Sequence, residues 1–181
     1  MINPEILNKD LNKKEIVELL NTSQNEVLEL MELANKRENN TITFSKNVFI
    51  PLTEVCKNDC GYCAFKKNPE DSDTIILKTP EEVLSLLHEA EKFNCKEALF
   101  TMGEDADTQE AVKEKLDELG FKNMSEYIYS ICKMTLEKTN LLPHTNAGNF
   151  SYETLKLLKE VNVSMGMMLE NSSPRLMKTV A

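Results

Sequence analysis

From residue 42 the chain alternates short apolar runs with helical patterns, and this rhythm restricts its fold more than any other feature. Asn47-Val-Phe-Ile-Pro-Leu52 reads as a buried strand running straight into a cysteine-bearing loop, and a polar stretch follows over 66–73. Thr79-Pro80-Glu81-Glu82 announces a helix by an N-cap Thr, Pro at the first helical position and Glu at the third. Val83, Leu86, Leu87, Ala90 and Phe93 supply its inward face. Glu97–Met102 reads as a second strand ending at Gly103-Glu104. Helices are expected over 108–119, closed by Gly120 as a left-handed cap, and over 124–138, with Ile128, Ile131, Cys132 and Leu136 inward. A short strand at 140–143 enters His144-Thr-Asn-Ala-Gly148. A helix at 151–160 and a strand at 162–169 reaching Glu170 complete the pattern. Such alternation predicts an α/β fold, a parallel sheet of about four strands with helices outside. Chemistry in such sheets collects at the C-terminal ends of the strands.

Two amphipathic helices precede this region: 13–20, and a second opened by Ser23 with Glu26 three residues on. The expected division is an N-terminal helical segment, 1–40, and a core, 41–181. Four βα units do not close an eight-fold barrel, so the core is expected to be the front half of a longer enzyme or one part of a split one. The net charge of −9 repels phosphate backbones and argues against nucleic-acid binding. No apolar run approaches the ~20 residues of a membrane span, and MINPEILNKD lacks an apolar signal core. The expectation is therefore a soluble, cytoplasmic protein without membrane contact.

The chain has five cysteines, and three fall within eight positions: Cys56-Lys-Asn-Asp-Cys60-Gly-Tyr-Cys63. An odd, clustered set argues for metal or redox chemistry and against a disulfide framework. Three thiolates on so tight a loop suit one face of an iron–sulfur cubane, leaving one iron open. A zinc site completed by His88 or His144 is the alternative. Cys95 and Cys132 lie in or beside apolar helical patterns and read as core residues. Met165, Met167 and Met168 read as core filling on the last strand.

The C-x3-C-x2-C spacing, with an aromatic residue before the last Cys, resembles the radical S-adenosylmethionine superfamily. The resemblance implies a partial (β/α) TIM-like barrel and a [4Fe–4S] cluster held by Cys56, Cys60 and Cys63. Its open iron would bind the amino and carboxylate groups of S-adenosyl-L-methionine, whose reductive cleavage yields a 5′-deoxyadenosyl radical. Tyr62 would then lie near the adenine. Gly103 and Glu104 fall where the superfamily carries its glycine-rich motif for the cofactor's amino group, although Glu104 departs from the usual paired glycines. Glu170 would reach the ribose or amine, and Arg175 the carboxylate. A solvated surface role stays open for Glu104, Glu170 and Arg175.

Five segments in order, Ser45–Thr53, Cys60–Phe65, Glu97–Gly103, Leu142–Gly148 and Ser164–Glu170, are similar to the ring-closing deazaflavin synthases of coenzyme F420 biosynthesis. That likeness covers roughly residues 40–177 and lacks the later barrel strands. It implies a lyase-type ring closure with ammonia loss on a hydroxybenzyl-ribitylimino-dihydrouracil. His144 and Asn146, with Thr145, would face the substrate from a strand end, His144 donating a hydrogen bond or moving a proton. A loop histidine bonded to backbone is the alternative for His144. The implied partners are a small-molecule substrate, an electron donor such as ferredoxin or flavodoxin, a chain completing the barrel and the partner synthase subunit. Other readings are the tyrosine-coupling radical enzyme of the same pathway, or a truncated, non-catalytic metal-binding module.

Overall fold

The structure, a computed structural model, describes residues 2, 4–37, 41–169 and 171–175. Glu170, for which a cofactor contact is expected, lies outside the described residues. Contacts divide the chain into two compact units, 1–44 and 45–181.

In the first unit a 3-10 turn (Pro4–Asn8) precedes helices α1 (Lys13–Leu20) and α2 (Gln24–Arg37). Asn12 opens α1 with a reciprocal box. Its side chain accepts from the Glu15 amide, and the Glu15 carboxylate accepts from the Asn12 amide. At α2 the Glu26 carboxylate accepts from both the amide and the hydroxyl of Ser23. Leu33 is buried, whereas Leu20, Leu28 and Met31 stay exposed.

The second unit is built on a sheet. Its strands among the described residues are β1 (Asn47–Pro51), β2 (Glu97–Thr101), β3 (Leu142–Asn146) and β4 (Ser164–Met165), all parallel and in the order β1-β2-β3-β4. Connections run through α3 (Pro80–Lys92), then α4 (Glu110–Leu119) and α5 (Met124–Lys138), then α6 (Tyr152–Leu158). The expected α/β alternation is therefore present. Parallel neighbours require such crossovers, because a hairpin cannot return the chain to the same end of the sheet.

Helix starts follow local chemistry. Thr79 and Glu82 form the expected capping box ahead of Pro80. Asn123 and Ser151 cap α5 and α6 by accepting from the amides of Glu126 and Thr154. Gly120 ends α4 at φ +81°, as expected of a left-handed cap.

Side chains alternate across the sheet. Ile50, Ala98, Phe100 and Thr145 are buried on the face that meets the helices, packed with Val83, Leu87, Ile128, Ile131 and Cys132. Tyr127 is fully buried, stacks edge-on against Phe121 and donates to the Lys78 carbonyl. Burial pushes its phenol well above the usual tyrosine range. The opposite face carries Phe49, Glu97, Leu99, Thr101, Leu142, His144, Asn146 and Ser164, which remain half-buried or exposed.

Several expectations need correction. Strand β3 starts and ends later than expected, because its ladder with β2 aligns Leu142 with Glu97 and Asn146 with Thr101. Strand β4 pairs only at Ser164 and Met165. Met165 packs on the core, but Met167 and Met168 are 60% and 67% exposed and do not fill it. Phe93 ends α3 as its C-cap and is exposed, and Leu86 and Leu136 also remain partly exposed.

Candidate metal and cofactor centre

The three cysteines leave the C-terminal end of β1 on a loop whose base is fixed. The Leu52 amide extends the ladder by donating to the Thr101 carbonyl, and Leu52, Thr53 and Val55 are buried. The Thr53 hydroxyl donates to the Ile76 carbonyl at 2.5 Å and accepts from the Val55 amide. Glu54 exchanges bonds with Ile75, and Lys67 bridges Glu54 and Asp73. These bonds fold residues 66–78 back onto the base of the loop.

The end of β2 clamps the same loop from its other side. A Cβ at Gly103 would lie 2.2 Å from the Val55 carbonyl oxygen and 2.4 Å from Cys56 Cβ. Only a residue without a side chain lets the two backbones approach so closely. The Lys57 amide donates to the Glu104 carbonyl, and the Lys57 ammonium meets Asp105 at 2.5 Å. That hydrogen bond with Asp105 raises the Lys57 pKa. The Glu104 carboxylate accepts from Asn58 at 3.3 Å and from Asn149 at 2.9 Å, bridging the cysteine loop to the β3–α6 loop. Gly148, at φ +82°, turns that loop against Glu104.

Cys56 and Cys60 are half-buried, Cys63 is exposed, and all three thiols are free. Cys60 and Cys63 close a turn through the Cys63 amide and Cys60 carbonyl. A cleft of about 430 Å³ opens beside Cys56, lined by Lys57, Asp59, Lys66, Lys67 and Gln109 among others. Phe65, two residues past Cys63, packs its ring against that of Phe49, centroids 5.8 Å apart and planes tilted by 45°, and carries the far end of the loop toward the open sheet face.

This donor set fits an iron–sulfur cluster. It offers three soft sulfur ligands, none in a disulfide, on a braced loop, and a cubane takes one thiolate on each of three irons. Among the described residues no three His, Cys, Asp or Glu side chains lie together as ligands of a single ion. A zinc site completed by His88 is excluded by position. His88 pairs with Glu91, whose carboxylate accepts from Asn140 just before β3, so it sits at the N-terminal edge of the sheet. The cysteine loop is at the other edge, roughly 15 Å away along a five-residue strand.

His144 lies in the middle of β3 rather than in a loop, and its Nδ1 is 2.8 Å from the Ser164 hydroxyl and 3.7 Å from Glu97. Asn146 ends the same strand on the same face. Thr145 does not join them: it is buried on the helix side, donating to Asn162 Oδ1 and lying 3.5 Å from the Cys132 thiol. Tyr62 and Arg175 are exposed. Asn58, Asn149, Glu97 and Ser164 were not singled out from sequence, since their partners lie 20 to 47 residues away. Gly148 offered a local signal, since its left-handed turn brings the adjoining Asn149 to Glu104.

No helix among the described residues is long and apolar enough to cross a membrane. Curated proteins named 7,8-didemethyl-8-hydroxy-5-deazariboflavin synthase resemble the chain over most of its length. That of Methanobrevibacter smithii is 68% identical over 152 residues, covering 83% of this chain and 45% of the relative. That of Methanocaldococcus jannaschii is 45% identical over 173 residues, covering 94% and 47%. The chain thus spans about half the length of the curated relatives it matches. The crystal structure of methylornithine synthase (PylB) shares the fold with a TM-score of 0.71 at 18% identity, over 97% of this chain and 49% of that one. The family model described as the Radical SAM superfamily matches residues 50–180. With its cysteine loop braced at the C-terminal edge of a parallel sheet, the chain belongs to the radical S-adenosylmethionine superfamily.

Proposed function

We propose that this chain is the cluster-holding part of an enzyme that closes the deazaflavin ring of coenzyme F420, releasing ammonia from a hydroxybenzyl-ribitylimino-dihydrouracil. The observation that carries this reading is the 68% identity to a synthase of that name across the segment holding the cysteine loop. Cys56, Cys60 and Cys63 would hold a [4Fe–4S] cluster, with S-adenosyl-L-methionine on the open iron. When bound, these groups supply one-electron cleavage of the sulfonium and hence hydrogen abstraction from the substrate.

The chain's own residues bind, orient and exclude water. Gly103 and Glu104 keep the cysteine loop against the sheet, and Tyr62 offers an exposed ring for the adenine. Arg175 suits the methionyl carboxylate, and Glu170 the ribose or amine. His144 and Asn146 present polar atoms to the substrate from the open sheet face, while Phe49 and Phe65 shield its β1 side. An electron donor such as ferredoxin or flavodoxin would reduce a cluster held by the three cysteines, and further barrel strands would complete the substrate chamber.

The test is product formation under anaerobic conditions, using the reconstituted chain together with the remaining half of the Methanobrevibacter smithii synthase as a separate polypeptide. Substrate, S-adenosyl-L-methionine and a reductant should give the fluorescent deazaflavin and 5′-deoxyadenosine, and Cys60→Ala should give neither. Formation of 5′-deoxyadenosine without deazaflavin would sink the ring-closing reading.

A further inference from the structure

On the sheet face opposite the helices, three neighbouring strands each contribute one polar side chain to the same spot. Glu97 stands on β2, His144 on β3 and Ser164 on β4, and the ladder pairs His144 directly with Ser164. The Glu97 and His144 side chains retain only 20% and 24% of their exposure. Both neighbours address the same ring atom, Nδ1: Ser164 Oγ at 2.8 Å and the Glu97 carboxylate at 3.7 Å. A carboxylate beside Nδ1 favours a proton there, and Nδ1–H would then donate a hydrogen bond to the Ser164 oxygen. The other ring nitrogen, Nε2, would then keep its lone pair.

Gly166 explains what lies in front of that lone pair. Its φ is outside the left-handed region, so backbone conformation does not demand glycine. A Cβ there would lie 3.3 Å from His144 Nε2 and 3.8 Å from Asn146 Cγ. The missing side chain therefore keeps the space before Nε2 open, with the Asn146 amide at its rim.

We propose that Ser164 and Glu97 are positioning residues that hold His144 with its proton on Nδ1, so that Nε2 accepts a hydrogen bond from a substrate imide N–H or hydroxyl across the gap kept by Gly166. The identity of that donor rests on the ring-closing reading, whose substrate carries a dihydrouracil, a phenol and ribityl hydroxyls. The arrangement differs from a nucleophilic Ser–His pair. There the serine faces one ring nitrogen and the carboxylate the other, whereas here both face Nδ1.

The chain has two histidines, so a protein labelled with ¹⁵N-histidine gives two ring systems, with His88 as internal reference. Long-range ¹H–¹⁵N correlation at a pH where the rings are neutral should show His144 protonated on Nδ1. Ser164→Ala, with Glu97→Gln as the second variant, should shift the ring toward the Nε2-protonated form while His88 stays unchanged. The probe 6-(D-ribitylamino)uracil should displace the His144 Nε2 resonance in the parent protein and not in Gly166→Val. A parent ring protonated on Nε2, a tautomer indifferent to both variants, or an Nε2 signal blind to the probe would each overturn the proposal. None of these results touches the product assay. A correct tautomer and probe response without deazaflavin formation would remove the ring-closing reading and leave the His144 site standing.

Discussion

Replacing Gly103 by Ala should damage the cysteine loop far more than one methyl group suggests. The added Cβ would meet the Val55 carbonyl oxygen at 2.2 Å, Cys56 Cβ at 2.4 Å and Cys56 Cα at 2.6 Å. Ordinary contact begins at 3.4 Å, so the two segments must separate by about 3.4 − 2.2 = 1.2 Å. No rotamer relieves this, because every atom met is backbone or Cβ, and Val55 is buried. Overpacking of this kind costs about 1–3 kcal/mol, or about 2–12 °C in Tm for a domain of this size. The consequence for the site is larger, because a ligand set tolerates displacements of only about 0.5 Å. The assay is iron and sulfide content after anaerobic reconstitution, read beside thermal unfolding. Gly103→Ala should lose most of its cluster at a temperature where it is still folded. Gly61→Ala, in the same loop with open space around its Cβ position, should retain it. A Gly103→Ala protein with a full cluster and unchanged Tm would refute the reasoning.

Further outcomes follow from the same contacts. Glu104→Ala removes the bridge between Asn58 and Asn149, and should lower cluster retention about 10–100-fold with little change in helix content by circular dichroism. Gly120→Ala meets no atom, so its cost is the left-handed backbone alone, about 1 kcal/mol, measured by urea unfolding with an unchanged cluster. Burial pushes the Cys132 thiol up to about 11, so it should resist alkylation at pH 8 in the apo protein, where Cys56, Cys60 and Cys63 react. Its native form holds a proton that the unfolded form has already lost. Stability should therefore fall by up to about 3 kcal/mol as pH rises from about 9 to 11, and Cys132→Ala should flatten that slope.

Where local chemistry decided the outcome, the sequence was readable. Helix α5 has the bounds its pattern implied, 124–138, because cap and apolar stripe agree. Thr79-Pro80 and Gly120 act as their residue types require. Strand limits were less readable, because they depend on which residue faces which across the ladder. The apolar run at 140–143 suggested a strand ending where β3 has barely begun. The Met165–Met168 run suggested core, yet only Met165 has a ladder partner and packing on the helix side. At the site, the cysteine spacing was legible because all three ligands share one loop. The clamp was not, since Glu104 meets Asn58 and Asn149 only after β1, β2 and β3 align.

The central claim is that Cys56, Cys60 and Cys63 hold a cluster with one iron open to S-adenosyl-L-methionine. Electron paramagnetic resonance of the anaerobically reconstituted, reduced chain, with and without that cofactor, tests it most directly. The account predicts a reduced [4Fe–4S] signal that changes on adding S-adenosyl-L-methionine and is lost in Cys56→Ala. A signal indifferent to the cofactor, or one that survives Cys56→Ala unchanged, would contradict it.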